Sequence, residues 1–205
     1  MNRKQLILDK ALEMFNERGI EYVGLRELAA KLNMRVSNIT YYFPTKDDLV
    51  YEISLELTRK NSMVIVADST LTMRGFLGML HQVFKNHLQF RCLLLSFVHV
   101  MEQNKVVAAS YKRTQKTRND TLKVNIDTLE KSGYLKVEEV EENEFLVSTL
   151  ALVSRFWISE AAVSLRHLTE ADQIKHYLRL IARLLLPYTT TKGKKEIRLF
   201  LQELN

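Results

Sequence analysis

The fold of this chain follows from residues 25–43, which read LRELAAKLNMRVSNITYYF. One apolar stripe predicts a short amphipathic helix over residues 25–32, and a second helix is predicted over 36–42, before Pro44. Asn33 lies between them, and asparagine tolerates left-handed backbone better than any residue except glycine. The spacing therefore predicts two helices joined by a tight turn.

A helix-turn-helix needs a small residue where its helices cross, a tolerant residue in the turn and an apolar anchor in the second helix. Ala29, Asn33 and Ile39 supply these three in order. An ordinary helical hairpin fits the same spacing, so the pattern alone leaves both interpretations open.

Three segments around this stretch resemble the TetR family of bacterial transcriptional regulators. They are Ile7–Gly19 (ILDKALEMFNERG), Leu25–Leu32 (LRELAAKL) and Ile39–Leu49 (ITYYFPTKDDL). The resemblance covers about residues 3–50 and is specific because several fixed spacings coincide. It implies an all-α fold with an N-terminal three-helix helix-turn-helix DNA-binding domain, residues 1–46, and a C-terminal helical ligand-binding and dimerisation domain, residues 47–205.

The resemblance further implies that residues 35–42 enter the major groove. Asparagine can pair with adenine, arginine with guanine, and valine or threonine methyls can meet the thymine methyl. The implied base-contacting residues are Arg35, Val36, Ser37, Asn38 and Thr40. The implied backbone-contacting residues are Arg26, Tyr41, Tyr42 and Lys46, with aromatic packing as the alternative for the tyrosines.

Three positions depart from the usual family pattern. Asn33 stands where glycine is usual, and Thr40 stands where tyrosine is frequent. Arg35 replaces a small helix-capping residue and has no side-chain acceptor for capping. Either the second helix begins more loosely or Arg35 is released for DNA. These departures leave the class intact but put the operator sequence beyond prediction.

Beyond the resemblance, the chain of 205 residues is 46% hydrophobic with only two prolines, which predicts long helices. Its single cysteine, Cys92, excludes an intrachain disulfide. A first amphipathic helix is predicted over residues 3–18, and Gly19 and Gly133 are predicted helix stops. The remaining predicted helices are 45–66, 73–90, 92–102, 106–132, 143–168, 170–186 and 194–204.

Helices 143–168 and 170–186 are apolar over more than one narrow face, which exceeds what packing on one side requires. In a protein that resembles this family, such a pair forms a four-helix homodimer interface. The alternative is core burial within one subunit.

Helices in the middle of the chain are expected to enclose a largely apolar effector pocket with a few polar groups. Its candidate lining residues are Phe76, Leu80, Phe84, His87, Phe97, Met101, Tyr111, Phe156 and Trp157. Each of these residues is also compatible with simple core packing. The basic run over residues 105–123 fits a solvated helix face, or attraction of an acidic effector or of flanking DNA.

Other function classes find little support in the sequence. Ser96 and His99 lack an orienting acid, and His99 with Glu102 lacks a second metal-binding pair, so no catalytic residue, metal or cofactor is predicted. The most apolar run, residues 92–101, is too short to cross a bilayer, which needs about 20 residues. No membrane association is therefore expected, and the predicted location is the cytoplasm.

The leading hypothesis is a ligand-responsive transcriptional regulator, most simply a repressor. It binds a pseudo-palindromic double-stranded DNA operator as a homodimer and is released by an unknown small molecule. One alternative is an architectural or partner-binding DNA protein of the same fold without an effector. Another is an all-helical enzyme with an incidental N-terminal hairpin.

Overall fold

The computed structural model describes residues 2–65, 67, 69–137 and 139–204, and nearly all of its regular structure is helical. Within these residues the α-helices are α1 (Arg3–Arg18), α2 (Leu25–Lys31), α3 (Val36–Thr40), α4 (Lys46–Val64), α5 (Met73–Gln89), α6 (Arg91–Leu95), α7 (Phe97–Gln103), α8 (Lys105–Lys131), α9 (Val140–Ser164), α10 (Glu170–Leu185) and α11 (Thr191–Glu203). A 3₁₀ turn, Leu186–Tyr188, follows α10. The predicted all-α class is confirmed.

Glycines end two of the helices where the sequence predicts a stop. Gly19 follows α1 with φ of 93°, and Gly133 follows α8 with φ of 73°. Both values lie where a side chain would be strained, so glycine is the residue that leaves the helix at least cost. At the other end of α1, the Asn2 side chain accepts a hydrogen bond from the Lys4 backbone N–H at 3.1 Å.

The predicted single helix over residues 92–102 is wrong. The structure has two helices, α6 and α7, with Ser96 between them at φ −93° and ψ 20°. The Ser96 side chain is hydrogen-bonded to the carboxylate of Glu21, a partner that periodicity cannot reveal. The predicted end of the 45–66 helix, Val66, lies outside the described residues, and α9 begins at Val140 rather than at Asn143.

The first of two compact units comprises residues 2–60 and 89–113. Asn16 connects its two parts, because its side-chain amide donates to the Gln89 carbonyl at 2.8 Å and accepts from the Cys92 backbone N–H at 3.0 Å. The core of this unit includes Ile7, Phe15, Leu28, Ile39, Phe43 and Leu49.

The second unit comprises residues 61–88 and 114–204. Its core includes Phe76, Phe84, Ile126, Leu146, Trp157 and Leu178. The beginning of α11 packs against the segment after α8, where the Thr190 backbone N–H donates to the Tyr134 carbonyl at 3.1 Å. That close backbone approach occurs beside Gly193, which is buried.

Candidate nucleic-acid interface

The turn between α2 and α3 has the left-handed residue that the sequence predicts. Asn33 has φ of 52°, the only positive φ of a non-glycine residue in the described chain. The Met34 N–H donates to the Ala29 carbonyl at 2.9 Å, and the Asn33 N–H donates to the Ala30 carbonyl at 3.1 Å. This pair of bonds is the Schellman motif, which satisfies the last carbonyls of a helix while turning the chain.

Ala29 and Ile39 hold the two helices together, as their spacing predicts. Ala29 is 1% exposed and Ile39 is fully buried. A small side chain at the first position lets α3 approach α2, and Ile39 fills the space beneath the turn. The helix-turn-helix is therefore present, and it presents α3 at the surface of the first unit.

The outer face of α3 carries the predicted base-contacting residues. Arg35, Ser37 and Asn38 are exposed, whereas Val36 and Thr40 are half-buried. Arg35 occupies the N-cap position without a side-chain capping bond. Its guanidinium is thus not used for capping, and the exposed beginning of α3 offers donors and acceptors of the types that read base edges.

Aromatic residues follow α3 in two different environments. Tyr41 is 81% exposed, and its ring stands edge-on to Tyr42 at a centroid distance of 5.0 Å. Tyr42 is half-buried, while Phe43 is buried, with the Lys4 ammonium 5.6 Å from its ring centroid. Phe43 therefore serves packing, and Tyr41, on the solvent side, offers its hydroxyl as a hydrogen-bond donor.

A capping box fixes the beginning of α4. The Thr45 hydroxyl oxygen accepts from the Asp48 N–H at 3.2 Å, and the Asp48 carboxylate accepts from the Thr45 N–H at 2.9 Å. Lys46 lies in this turn, and its ammonium donates to the Glu21 carbonyl at 3.3 Å. The pKa of Lys46 lies below its ordinary value, because partial burial lowers it more than the nearby charges of Glu21 and Asp47 raise it.

The surface around these elements suits a polyanion. Arg26 and Lys31 on α2 and Arg35 before α3 are exposed cations, and Lys46 adds a half-buried one. Phosphate contacts position a protein on DNA, and base contacts supply specificity. The arrangement offers both, with cations and tyrosines beside an exposed short helix.

The predicted effector residues divide between the two units. Phe97 and Tyr111 are in ring contact at 5.0 Å, and Met101, in the same unit, is half-buried. In the second unit, Phe84 stacks on Trp157 at 4.9 Å. Phe76 and Leu80 are buried in that unit as well. Phe156 is half-buried, with the Arg155 guanidinium 5.8 Å from its ring centroid.

His87 is the polar centre of the aromatic cluster that Phe84 and Trp157 form in the second unit. The Trp157 indole N–H donates to His87 Nδ1 at 3.3 Å, and the Asn61 amide lies 3.2 Å from His87 Nε2. The sequence analysis missed Tyr177, whose ring lies 5.5 Å from Trp157 and whose buried hydroxyl has no hydrogen-bond partner among the described residues.

The stability of the protein is expected to fall in acid because of His87. Burial, with a smaller effect of the Arg118 charge, lowers the pKa of His87 to about 3. Above the ordinary histidine pKa of 6.5, the ring is neutral in both the folded and the unfolded protein. Between this pH and the lowered pKa of about 3, only the unfolded chain takes up the proton. The free energy of unfolding should therefore fall by about 1.5 kcal/mol between about pH 6.5 and pH 5.

Urea unfolding at one protein concentration and several pH values measures this slope. The variant His87→Gln keeps hydrogen-bonding groups but cannot titrate, so its slope should be shallower by the same amount. His167→Gln, which removes an exposed histidine, is the control and should retain the original slope. Equal slopes in His87→Gln and the unaltered protein would show that His87 is not the group responsible.

No metal centre is apparent in the described part of the chain, where no group of three or more His, Cys, Asp and Glu side chains could hold an ion. His99 and Glu102 are both exposed. Ser96 is hydrogen-bonded to Glu21 rather than to a histidine.

The helix α9 exposes much apolar surface. By length and composition alone this helix, Val140–Ser164, is apolar enough to cross a membrane, a test that the core helix of a soluble protein also passes. Only 28% of its most apolar stretch is buried within the chain. Phe145, Leu152 and Val163 are exposed, and their spacing places them within about 20° of one line along the helix.

Comparison with known proteins agrees with this geometry. The family model described as bacterial regulatory proteins of the tetR family matches residues 7–53, and the TetR model described as bacterial transcriptional repressor matches residues 56–197. The HTH-type transcriptional regulator LuxR of Vibrio harveyi is 37% identical over 62 residues, which cover 30% of this chain and 30% of that protein.

Two solved structures share the fold at low sequence identity. A TetR-family transcriptional regulator from Marinobacter aquaeolei VT8 has a TM-score of 0.91 and 17% identity, with both chains covered completely. The ketosteroid transcriptional regulator KstR2 of Mycobacterium tuberculosis has a TM-score of 0.60 and 18% identity, covering 92% of this chain and 96% of that one.

Proposed function

Because this chain belongs to the TetR family of bacterial transcriptional regulators, we propose that it is a repressor that binds a pseudo-palindromic operator as a homodimer. Regulators of this family bind DNA, are typically dimers and are not enzymes. We place this chain in the cytoplasm with them. The observation that carries the proposal is the exposed α3, held on α2 by the left-handed turn at Asn33.

Within this proposal, the predicted contact residues of the segment 26–46, called here the reading head, each have a role. Arg35, Ser37 and Asn38 read base edges from the exposed beginning of α3. Tyr41, Tyr42, Lys46 and Arg26 contact phosphates, with Val36 and Thr40 available to thymine methyl groups. One helix of five residues reads few base pairs, so two copies related by a two-fold axis are needed for a specific site.

The apolar face of α9 supports the dimer. Large exposed apolar patches on proteins often mark sites where another molecule docks, and Phe145, Leu152 and Val163 lie exposed along one line of α9. Helix α10 carries the exposed Leu180 beside it in the second unit. A second copy that covers the predicted helices, residues 143–168 and 170–186, would remove this surface from water and set the separation of the two reading heads.

An apolar or weakly polar small molecule is proposed as the effector. Support comes from the aromatic cluster in the second unit, which combines stacked rings with the neutral His87 and the unsatisfied hydroxyl of Tyr177. A ligand that prefers one separation of the reading heads would shift the population and lower operator affinity by that preference.

The proposal is tested by the binding of the purified protein to DNA from the region upstream of its gene. Fluorescence anisotropy across about 50–200 mM salt should show steep, salt-dependent binding. Lys46→Ala removes one phosphate contact from each subunit, so affinity should fall about 10-fold or more and the log–log salt slope should shrink by about 2. Lys85→Ala, which removes an exposed lysine of α5, is the control.

Salt-independent or absent binding would contradict the proposal. A molecule that releases the DNA should also change the emission of Trp157, the single tryptophan of the chain. If operator binding is specific but no effector alters it, the alternative of a DNA-binding protein without an effector is favoured. The close stacking of Phe84 on Trp157 is the observation compatible with that alternative.

A further inference from the structure

The side chain of Asn104, at the junction of α7 and α8, makes two hydrogen bonds to different helices. Its amide nitrogen donates to the Asp47 carbonyl in the first turn of α4 at 2.9 Å. Its amide oxygen accepts from the Val107 N–H in the first turn of α8 at 3.0 Å. Asn104 is only 5% exposed, so water competes little for either bond.

The two bonds differ in what they supply. The bond from Val107 is an N-cap, which many small polar residues can provide. The bond to Asp47 is of another kind, because the carbonyl of a residue early in a helix already accepts the N–H four residues later and has a second lone pair to spare. This second bond therefore links the cap of α8 to α4 through two residues 57 positions apart in sequence, in addition to the regular bonding of α4.

The other end of α7 is also connected to the beginning of α4. The side chain of Ser96, which precedes α7, is hydrogen-bonded to the Glu21 carboxylate. The carbonyl of the same Glu21 accepts the bond from the Lys46 ammonium. One end of this seven-residue helix thus contacts the first turn of α4 through Asn104, and the other end contacts Glu21, whose carbonyl accepts the bond from Lys46.

We propose that Asn104 is a positioning residue for DNA binding. It holds the first turn of α4, and so fixes the place from which Lys46 reaches a phosphate. It also couples that turn to the beginning of α8, because a movement of α8 that preserves the cap must carry the same amide with it. The proposal rests on the function proposed above.

Two substitutions separate positioning from capping. Serine caps helices as well as asparagine does, so Asn104→Ser should keep the α8 cap, but its short side chain cannot reach the Asp47 carbonyl. Asn104→Thr also keeps a cap for α8 and is too short for the same reason. Both variants should unfold at urea concentrations close to that of the unaltered protein, whereas a purely structural role of Asn104 would lower the stability together with the DNA affinity.

Operator affinity is then measured in a cycle with Lys46→Ala. Asn104→Ser alone should weaken binding about 5- to 20-fold and reduce the salt slope toward that of Lys46→Ala. In the Lys46→Ala background the same substitution should change affinity by less than about 2-fold, because the contact that it positions is already missing.

The outcomes distinguish this proposal from the function on which it rests. If the unaltered protein does not bind DNA, the proposed function is wrong. If the unaltered protein binds and Lys46→Ala weakens it, but Asn104→Ser binds equally well or acts additively with Lys46→Ala, the positioning role is overturned and Asn104 is only the cap of α8. Asn104→Thr decides the same question should the serine variant be poorly folded.

Discussion

Replacement of Leu152 by glutamate is expected to make the protein monomeric and to lower its operator affinity at least about 100-fold. Leu152 is 56% exposed in the single chain and lies between Phe145 and Val163, which is 74% exposed, on one line of α9. In the proposed dimer this line is covered by the second copy. A carboxylate placed there without a partner costs about 3–5 kcal/mol per buried charge.

The loss of DNA affinity follows from the loss of the second reading head. A monomer contacts one half-site and about half of the phosphates, so both the affinity and its salt dependence fall together. Sedimentation equilibrium measures the association, and anisotropy with the same operator measures the binding. The lysine and tyrosine contacts of each head are unchanged, so weak nonspecific binding should persist.

Val124→Glu provides the matched control for this substitution. Val124 is an exposed apolar residue of α8 in the same unit, 46% exposed, but does not belong to the α9 line. This variant should remain dimeric with unchanged operator affinity. If Leu152→Glu is also a dimer that binds normally, the proposed interface on α9 is refuted.

The second large effect is expected for Gly193→Ala, which should destabilise the protein by about 3 kcal/mol. A Cβ atom at Gly193 would lie 2.2 Å from the Tyr134 carbonyl oxygen, and that neighbour is backbone rather than a flexible side chain. The start of α11 must therefore move, and the bond from the Thr190 N–H to Tyr134 is lost or lengthened.

Gly78→Ala is the control, because the same substitution in α5 meets nothing within 4 Å. Alanine has the higher helix propensity, so this variant should be stabilised by roughly 0.5–1 kcal/mol. Urea denaturation of both variants at one protein concentration compares them. A Gly193→Ala variant as stable as the unaltered protein would show that the approach of α11 to Tyr134 relaxes without cost.

Helix boundaries that depend on near neighbours could be predicted from the sequence. Gly19 and Gly133 end their helices as expected, and α1 has the predicted bounds. The break at Ser96 was not predicted, and the side-chain partner of Ser96 there, Glu21, lies 75 residues away in sequence. The helix predicted over residues 194–204 begins three residues earlier, at Thr191, where the Thr190 hydroxyl oxygen accepts from the Gly193 N–H at 3.2 Å.

The candidate site likewise has a part that could be predicted from the sequence and a part that could not. The residues of the reading head lie within 21 positions of one another, from Arg26 to Lys46, so spacing predicts their shared surface. The proposed effector residues come from helices far apart in the chain. Periodicity identified them as apolar, but only the structure separates the Phe97–Tyr111 pair from the Phe84–Trp157 pair and adds Tyr177 to the latter.

The helical class, the turn at Asn33 and the family could all be predicted from the amino-acid sequence, because each depends on side-chain types at short fixed intervals along one backbone. The packing of the helices was needed to show that Asn104 bonds to the first turn of α4, that His87 is buried beside Trp157 and that Gly193 lies against a carbonyl. Those contacts join residues 57, 70 and 59 positions apart. Their existence depends on how whole helices pack, which no local pattern specifies.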